Sequence, residues 1–383
     1  MYALISFLDQ VFFSAANFLL SVFLARELTS SDYALFSIII SWGILVNSIL
    51  MSIFLEGGLW RANVMRSLSI EMGSVGLLSA GLIGSVVGFF VWYFFSSLLP
   101  LYSVVYGVSF SLIFYCRKML VLTNRAWSAF FLSIAYIFVV IAVIIIVLIN
   151  SHVSVGSIVG CLSIFTVAIC FILTLRFNGE LREFRLFSSF EGVRDWGWML
   201  PSAVFMWLQS NIIFVLPQYA GDFILAGDVR LYLNILTPIL MLNQVVSIVL
   251  IRYITSGRPY RNLMAFIGLA NLMYVLILYL YAGSIFSFLY PGRVYMLEMK
   301  VWLLVPFATY VASYLFSIAR TKFDYSGIFI SYGFSAFVTC IVSIFLLRAG
   351  YEFSLDGLFG VMFLTNILAV LVIYWRFRVY RVG

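Results

Sequence analysis

Charged residues are scarce in this chain of 383 residues. Lys, Arg, Asp and Glu together make up 10% of it, whereas hydrophobic residues make up 64% and the mean hydropathy is +1.13. A soluble domain carries about 25% charged residues, so the composition excludes one. The apolar segments are continuous rather than alternating, which excludes a closed β-barrel. We therefore expect an all-α integral membrane protein.

Residues that carry catalysis are also few. The single histidine, His152, lies in a short turn between two apolar segments, and the sequence contains no zinc-protease, serine-hydrolase or phosphate-binding motif. The four cysteines lie in or at the ends of apolar segments without the spacing of metal ligands: Cys116, Cys161, Cys170 and Cys340. They are typical of small packed hydrophobes. We expect neither an enzyme nor a cofactor or metal site.

Twelve apolar windows, separated by charged or Gly/Pro breaks, predict twelve transmembrane helices. They lie near 3–25, 33–55, 75–97, 99–116, 127–149, 153–175, 198–218, 228–251, 262–283, 300–319, 326–347 and 355–375. The first is expected to be a retained helix, because a basic region and a cleavage site are absent. The longest charged loop follows the sixth window. It predicts a six-helix lobe at 1–178, a cytoplasmic linker at 179–197 and a second six-helix lobe at 198–383.

Lysine and arginine are distributed unequally over the predicted loops. Of the 22 basic residues, 17 fall on one side of the membrane and five on the other. By the positive-inside rule, this places both termini in the cytoplasm. The net charge of +7 is therefore a sign of membrane orientation and not of nucleic-acid binding.

Corresponding segments of the two halves show weak similarity. Residues 33–36 align with 229–232 at an offset of 196, and residues 157–160 align with 357–360 at an offset of 200. Similar offsets at corresponding helices favour a duplicated six-helix unit, which is common among transporters.

Amide and hydroxyl side chains form stripes on several of the predicted helices. Such groups are costly inside a membrane unless they meet water, substrate or another helix. The amides concentrate in the first two helices of each half, which predicts a polar cleft between the halves. Helix–helix packing by small polar residues is the competing explanation. The predicted cleft residues are Gln10, Ser14, Asn17, Asn47, Gln209, Asn211, Asn234, Asn243 and Gln244.

The turn between the first two predicted helices reads ARELTSSDYALF, from Ala25 to Phe36. It resembles the polysaccharide-flippase branch of the MOP exporter superfamily, whose members show A-R-x-L-G-x-x-x-Y-G-L-Y/F at this place. Thr29 and Ala34 stand where those members have glycine. The stretch WGWMLP at 196–201 is similar to the opening of their seventh helix.

The resemblance implies a lipid-linked oligosaccharide flippase of the bacterial inner membrane, with two six-helix lobes arranged as a V. Its substrate would be an undecaprenyl-pyrophosphate-linked repeat unit for O-antigen or exopolysaccharide biosynthesis, and its partners the polymerase and chain-length proteins of the same pathway. A cation-coupled drug or metabolite exporter of the same superfamily is the alternative. A membrane polymerase or glycosyltransferase is a third, which the lack of a large extracytoplasmic loop disfavours.

A pyrophosphate group is anionic and would bind basic side chains. A cation-coupled exporter would need an acidic residue within the membrane. The predicted portal cations lie at the ends of helices: Arg26, Arg117, Lys118, Arg252 and Arg320. Interfacial snorkelling and topology are the competing explanation for them. The predicted coupling-ion residue is Asp9, in the first helix.

Overall fold

The computed structural model describes residues 2–52, 99–122, 125–150, 153–177, 193–255, 257, 259–295, 300–322 and 324–380. Within these ranges the chain is built of α-helices and one short 3₁₀ helix, without strands. The predicted all-α class is confirmed.

Eleven α-helices fall within the described ranges. They are α1 (Tyr2–Glu27), α2 (Ser30–Met51), α3 (Leu99–Leu122), α4 (Ala126–Ile149), α5 (Val155–Phe177), α6 (Val193–Ala220), α7 (Phe223–Thr255), α8 (Arg261–Leu289), α9 (Val305–Thr321), α10 (Tyr325–Arg348) and α11 (Leu355–Tyr380). The 3₁₀ helix Lys300–Leu304 runs directly into α9. These helices coincide with eleven of the predicted spans, whereas the third span, near 75–97, lies outside the described residues.

Ten helical segments of the described chain are long and apolar enough to cross a membrane. The helix α3 is not among the ten, although it has 24 residues. A chain with ten such segments is a multi-pass membrane protein.

Polar side chains at several helix starts satisfy backbone N–H groups that the first turn leaves without partners. Thr29 Oγ1 accepts from the Asp32 N–H at 3.2 Å, before α2. The carboxylates of Asp222 and Asp324 accept in the same way at 3.0 and 2.9 Å, before α7 and α10. Such caps explain why these helices begin where the sequence turns polar.

The same device begins one helix in each half at matching positions. Ser154 Oγ accepts from the Ser157 N–H at 3.2 Å before α5, and Ser354 Oγ accepts from the Gly357 N–H at 3.2 Å before α11. The two caps are 200 residues apart, which is the offset of the weak sequence match.

The chain divides into two compact units. The first comprises Met1–Leu20 and Leu35–Val204, and the second comprises Ser21–Ala34 and Phe205–Gly383. The tip of the α1–α2 hairpin is thus part of the second unit, although the rest of both helices is part of the first. The predicted lobe and linker boundaries stay a prediction, and residues 178–192 lie outside the described residues.

In the first unit, α2 and α3 approach each other closely at two glycines. A Cβ atom at Gly43 would lie 2.5 Å from Tyr106 Cδ1, and one at Gly107 would lie 2.7 Å from Val46 Cβ. Neither place has room for a side chain. Small residues of this kind let membrane helices pack backbone to backbone.

Aromatic rings fill the interior of the second unit. Tyr232 stacks on Phe286 with ring centroids 4.9 Å apart, beside the fully buried Trp302. A second stack joins Phe316 and Tyr332 at 4.2 Å. Such pairs add specific geometry to apolar packing.

The Gly43–Gly107 contact yields a stability prediction. Gly107→Ala inserts a methyl group where neighbouring atoms already lie within 3 Å, and overpacking of this kind costs about 1–3 kcal/mol. We expect a lower thermal unfolding temperature for the purified protein in detergent.

The matched control is Gly160→Ala, on α5 of the same unit, where an added Cβ meets no atom within 4 Å. Removing a helical glycine there should leave the unfolding temperature unchanged or raise it. Equal unfolding temperatures for the two variants would contradict the close approach.

Candidate functional site

A buried ion pair joins α1 and α3 in the first unit. Arg117 Nε donates to Asp9 Oδ1 at 3.0 Å and Arg117 Nη2 donates to Asp9 Oδ2 at 2.8 Å. The two side chains are only 2% and 6% exposed. Ser133 Oγ, from α4, donates to the same carboxylate at 2.6 Å. The guanidinium also donates to Gln10 Oε1 at 3.2 Å and lies 3.9 Å from the centre of the Phe13 ring.

This cluster brings together two residues for which separate roles were predicted. Asp9 is the predicted coupling-ion residue and Arg117 a predicted portal cation. In the structure each satisfies the other, because a two-point guanidinium–carboxylate pair is the strongest polar contact available to both. Asp9 can therefore take up a coupling cation only in a state in which this pair has parted. Both functional roles stay predictions.

The other predicted cleft residues of the first unit are bonded to their own helix or to another helix of that unit. Asn17 donates to the carbonyl four residues earlier at 2.9 Å and accepts from the Tyr136 hydroxyl at 3.0 Å. Gln10 Nε2 lies 3.5 Å from Ser14 Oγ, on the same helix. The Oδ1 atom of Asn47 is buried and has no hydrogen-bond partner.

In the second unit, Asn234 of α7 is the centre of a buried polar network. Its Nδ2 atom lies 2.8 Å from Ser21 Oγ, 3.0 Å from the Tyr33 hydroxyl and 3.3 Å from the Tyr290 hydroxyl. Ser21 Oγ also donates to Asn234 Oδ1 at 3.1 Å. Burial raises the pKa of the Tyr290 phenol, so this group stays neutral and able to donate. The network ties the hairpin tip to α7 and to the end of α8.

Two arginines cap each other's helices at the same tip. Arg26, at the end of α1, donates to the carbonyl oxygens of the last two residues of α8, both at 2.7 Å. Arg293, just after α8, donates to the Ser30 side chain and, at 3.4 Å, to the carbonyls of Ala25 and Leu28. Each cation thus lies at the negative end of the other's helix.

Three other predicted cleft amides of the second unit, Gln209, Asn211 and Asn243, are also buried and bonded. Asn243 and Asn271 bond each other at 3.1 and 2.8 Å, and Asn243 donates to the Pro306 carbonyl at 3.0 Å. Asn211 donates to the carbonyl four residues earlier at 3.0 Å. Gln209 donates weakly, at 3.4 Å, to a carbonyl of α11. These contacts join helices of one unit.

Among the other portal cations, Lys118 Nζ lies 5.4 Å from the centre of the Phe114 ring. Arg320 Nη2 lies 4.0 Å from Met206 Sδ. The side chains of Gln244 and Arg252 lie outside the described part of the chain.

Several residues that complete these clusters were missed by the sequence analysis: Ser133, Tyr136, Asn271, Tyr290 and Arg293. They are ordinary hydroxyl, phenol, amide and guanidinium groups that lie far in the sequence from their partners. No spacing pattern joins them to their partners, so only the packing of the helices could reveal them.

Solved structures with the same architecture span nearly the full chain. A eukaryotic MATE transporter, AtDTX14, matches with a TM-score of 0.65 at 13% identity, covering 98% of this chain and 94% of that one. The MATE multidrug transporter DinF-BH matches with a TM-score of 0.64 at 13% identity, covering 98% and 93%. An inward-facing multidrug resistance MATE transporter of the MOP superfamily matches with a TM-score of 0.59 at 12% identity, covering 99% and 98%.

The chain has the MATE fold. At these identities the likeness establishes the architecture alone, and the sequence prediction of a MOP-type fold is confirmed at that level. The three named proteins are transporters, in line with the expectation that the chain is not an enzyme. No protein-family model and no curated protein sequence matches the chain.

The buried pair in the first unit yields a second prediction. Arg117→Met leaves the Asp9 carboxylate buried without its cation, and breaking such a pair costs about 3–5 kcal/mol. We expect a marked fall in unfolding temperature and in the amount of folded protein. In the double variant Asp9→Leu with Arg117→Met, most of this loss should be recovered, because no buried charge remains.

The matched control is the pair between Asp324 and Arg376 in the second unit, whose side chains are 18% and 20% exposed. Water can replace the lost partner there, so Arg376→Met should cost clearly less than Arg117→Met. Equal losses for the two variants, measured as unfolding temperatures in one detergent, would refute the difference in burial.

Proposed function

We propose that this chain is a membrane exporter that works by alternating access. The observation that carries the proposal is the likeness to MATE transporters over 98–99% of its length. The predicted cleft amides stay candidates for a transport path, because in the structure they are bonded to protein groups within each unit. We further propose that the two halves act as the two moving lobes and that both termini are cytoplasmic, as the basic residues indicate.

Small organic molecules are the substrate class best supported. Two of the named structural neighbours are multidrug transporters. The bonding of two predicted portal cations also favours this class over an anionic lipid. Arg117 is neutralised by Asp9, and Arg26 is bonded to helix-end carbonyls. Both are less available to an anionic headgroup than the sequence suggested.

An undecaprenyl-pyrophosphate-linked oligosaccharide is the second candidate substrate. The resemblance of the α1–α2 turn to polysaccharide flippases favours it. The bacterial inner membrane would then be the location, and the polymerase and chain-length proteins of the pathway would be partners. This candidate needs cations that are exposed to the substrate path in some state of the transport cycle.

Transport by the purified chain in proteoliposomes separates the two candidates. We expect a fluorescent organic cation to move across the membrane when a sodium or proton gradient is imposed, and not in liposomes without protein. A labelled undecaprenyl-pyrophosphate-linked oligosaccharide in the same vesicles should stay in its leaflet. Movement of the lipid alone would favour the second candidate, and movement of neither would refute an exporter.

The double variant Asn17→Leu with Gln209→Leu tests the predicted cleft. We expect it to fold, because leucine is similar in size to the two buried amides that it replaces. We expect it to lose transport, because both amides would line the proposed cleft. Ser210→Ala is the control: Ser210 is exposed, adjoins Gln209 and bonds only to its own helix. Transport at the wild-type rate in the double variant would count against the cleft assignment.

A further inference from the structure

Three of the five basic residues on the predicted outer side of the membrane belong to one place in the second unit: Arg26, Arg230 and Arg293. Arg26 bonds the end of α8. Arg293 follows that end and bonds the end of α1 and the turn after it. Arg230, near the start of α7, adjoins Leu231, whose carbonyl accepts from the Tyr290 hydroxyl at 3.3 Å. All three cations therefore lie around the end of α8.

The charges of these arginines act on two buried phenols. The Tyr33 hydroxyl lies in the field of Arg230 and Arg293. The Tyr290 hydroxyl lies in the field of Arg230 and Arg26. Both phenols are 1% exposed, and charges act more strongly where water is excluded. Arg230 acts on both hydroxyls and is therefore the central cation of the three.

No carboxylate forms an ion pair with these three arginines in the described part of the chain. The ion pairs found there involve other arginines, Arg117 and Arg376. Asp228 of α7 lies in the field of Arg293 without forming an ion pair with it. Like charges held near one another without a counter-ion repel, and more strongly at a protein surface than in bulk water. A bound anion would remove this repulsion.

Arg230 is the arginine of the group whose hydrogen-bonding capacity is unused. Its Nε atom is buried and has no hydrogen-bond partner within the described residues, whereas Arg26 and Arg293 bond carbonyls. A buried N–H group without an acceptor is costly, so either water or a bound anion must supply one. The three positive charges favour the anion. The side chain of Arg230 is half-buried, so a ligand can reach its guanidinium from the surface.

A phosphate group fits this site better than a carboxylate does. Phosphate oxygens accept two parallel N–H bonds from a planar guanidinium. Three cations favour an anion with more than one charge, which a phosphomonoester or a diphosphate has. Apolar rings are exposed at the same helix ends: Phe288 of α8 is 76% exposed and Phe223 of α7 is 51% exposed. An amphiphile can therefore place its phosphate at Arg230 and its tail along these rings.

We propose that Arg230, supported by the charges of Arg26 and Arg293, binds the phosphate group of a phosphomonoester or diphosphate ligand. The group is presented either by a membrane lipid or by a soluble phosphate that enters from water. All three arginines belong to the second unit, and the binding requires no transport. The proposal therefore goes beyond the exporter function and can be tested apart from it.

Binding to the purified chain in a neutral detergent tests the site. Pyrophosphate is the soluble probe, measured by equilibrium dialysis, and phosphatidic acid is the lipid probe, measured by native mass spectrometry. We expect at least one to bind, with affinity about tenfold or more lower in Arg230→Gln, which removes a charge-assisted contact. Arg348→Gln is the matched control. It removes an exposed arginine on the same predicted side, at the end of α10, and should bind like the wild type.

The probe that binds identifies the source of the phosphate, and binding of both also upholds the site. Because Arg230 has no bond within the described protein, Arg230→Gln should keep the wild-type unfolding temperature. Arg26→Gln loses two carbonyl bonds and should lower it. The site would be overturned if neither probe bound or if Arg230→Gln bound them with wild-type affinity. A fall in its unfolding temperature as large as that of Arg26→Gln would also overturn the site, because Arg230 would then serve the fold.

Discussion

A polar group inside a membrane is costly unless it finds a partner within the protein, and this constraint explains most of the buried polar contacts in the described part of the chain. Lipid offers no hydrogen bonds, so an unpaired amide or charge is costly. Asp9 and Arg117 satisfy each other as an ion pair, and Asn243 and Asn271 satisfy each other as an amide pair. These polar pairs lie among buried apolar side chains, and each pair joins the two helices that carry its partners.

The same constraint explains the end of the α1–α2 hairpin. The last carbonyl oxygens of α1 and of α8 have no partner within their own helix. Arg26 donates to carbonyls at the end of α8, and Arg293 donates to carbonyls at the end of α1 and in the turn after it. A contact made in this way is specific, because it depends on the positions of both helix ends.

Much of the fold could be predicted from the sequence, because it depends on the length and hydropathy of single segments. Each transmembrane span can be predicted from the residues of its own apolar window, and caps such as Thr29 and Ser354 mark where helices begin. The pairing of polar groups depends instead on helices far apart in the sequence. Asp9 and Arg117 are 108 residues apart, and nothing in either segment indicates the other. The sequence therefore identified Asp9, Arg117 and Asn234 as important polar residues without giving their partners.

Two residues that carry the resemblance to flippases, Arg26 and Tyr33, are bonded to α8 and α7 within the second unit. The motif at the turn thus describes how the hairpin docks, which is a property of the architecture. The same architecture is found in the multidrug transporters that match this chain at 12% and 13% identity. The motif at the turn and the fold match over 98–99% of the chain therefore agree on the architecture.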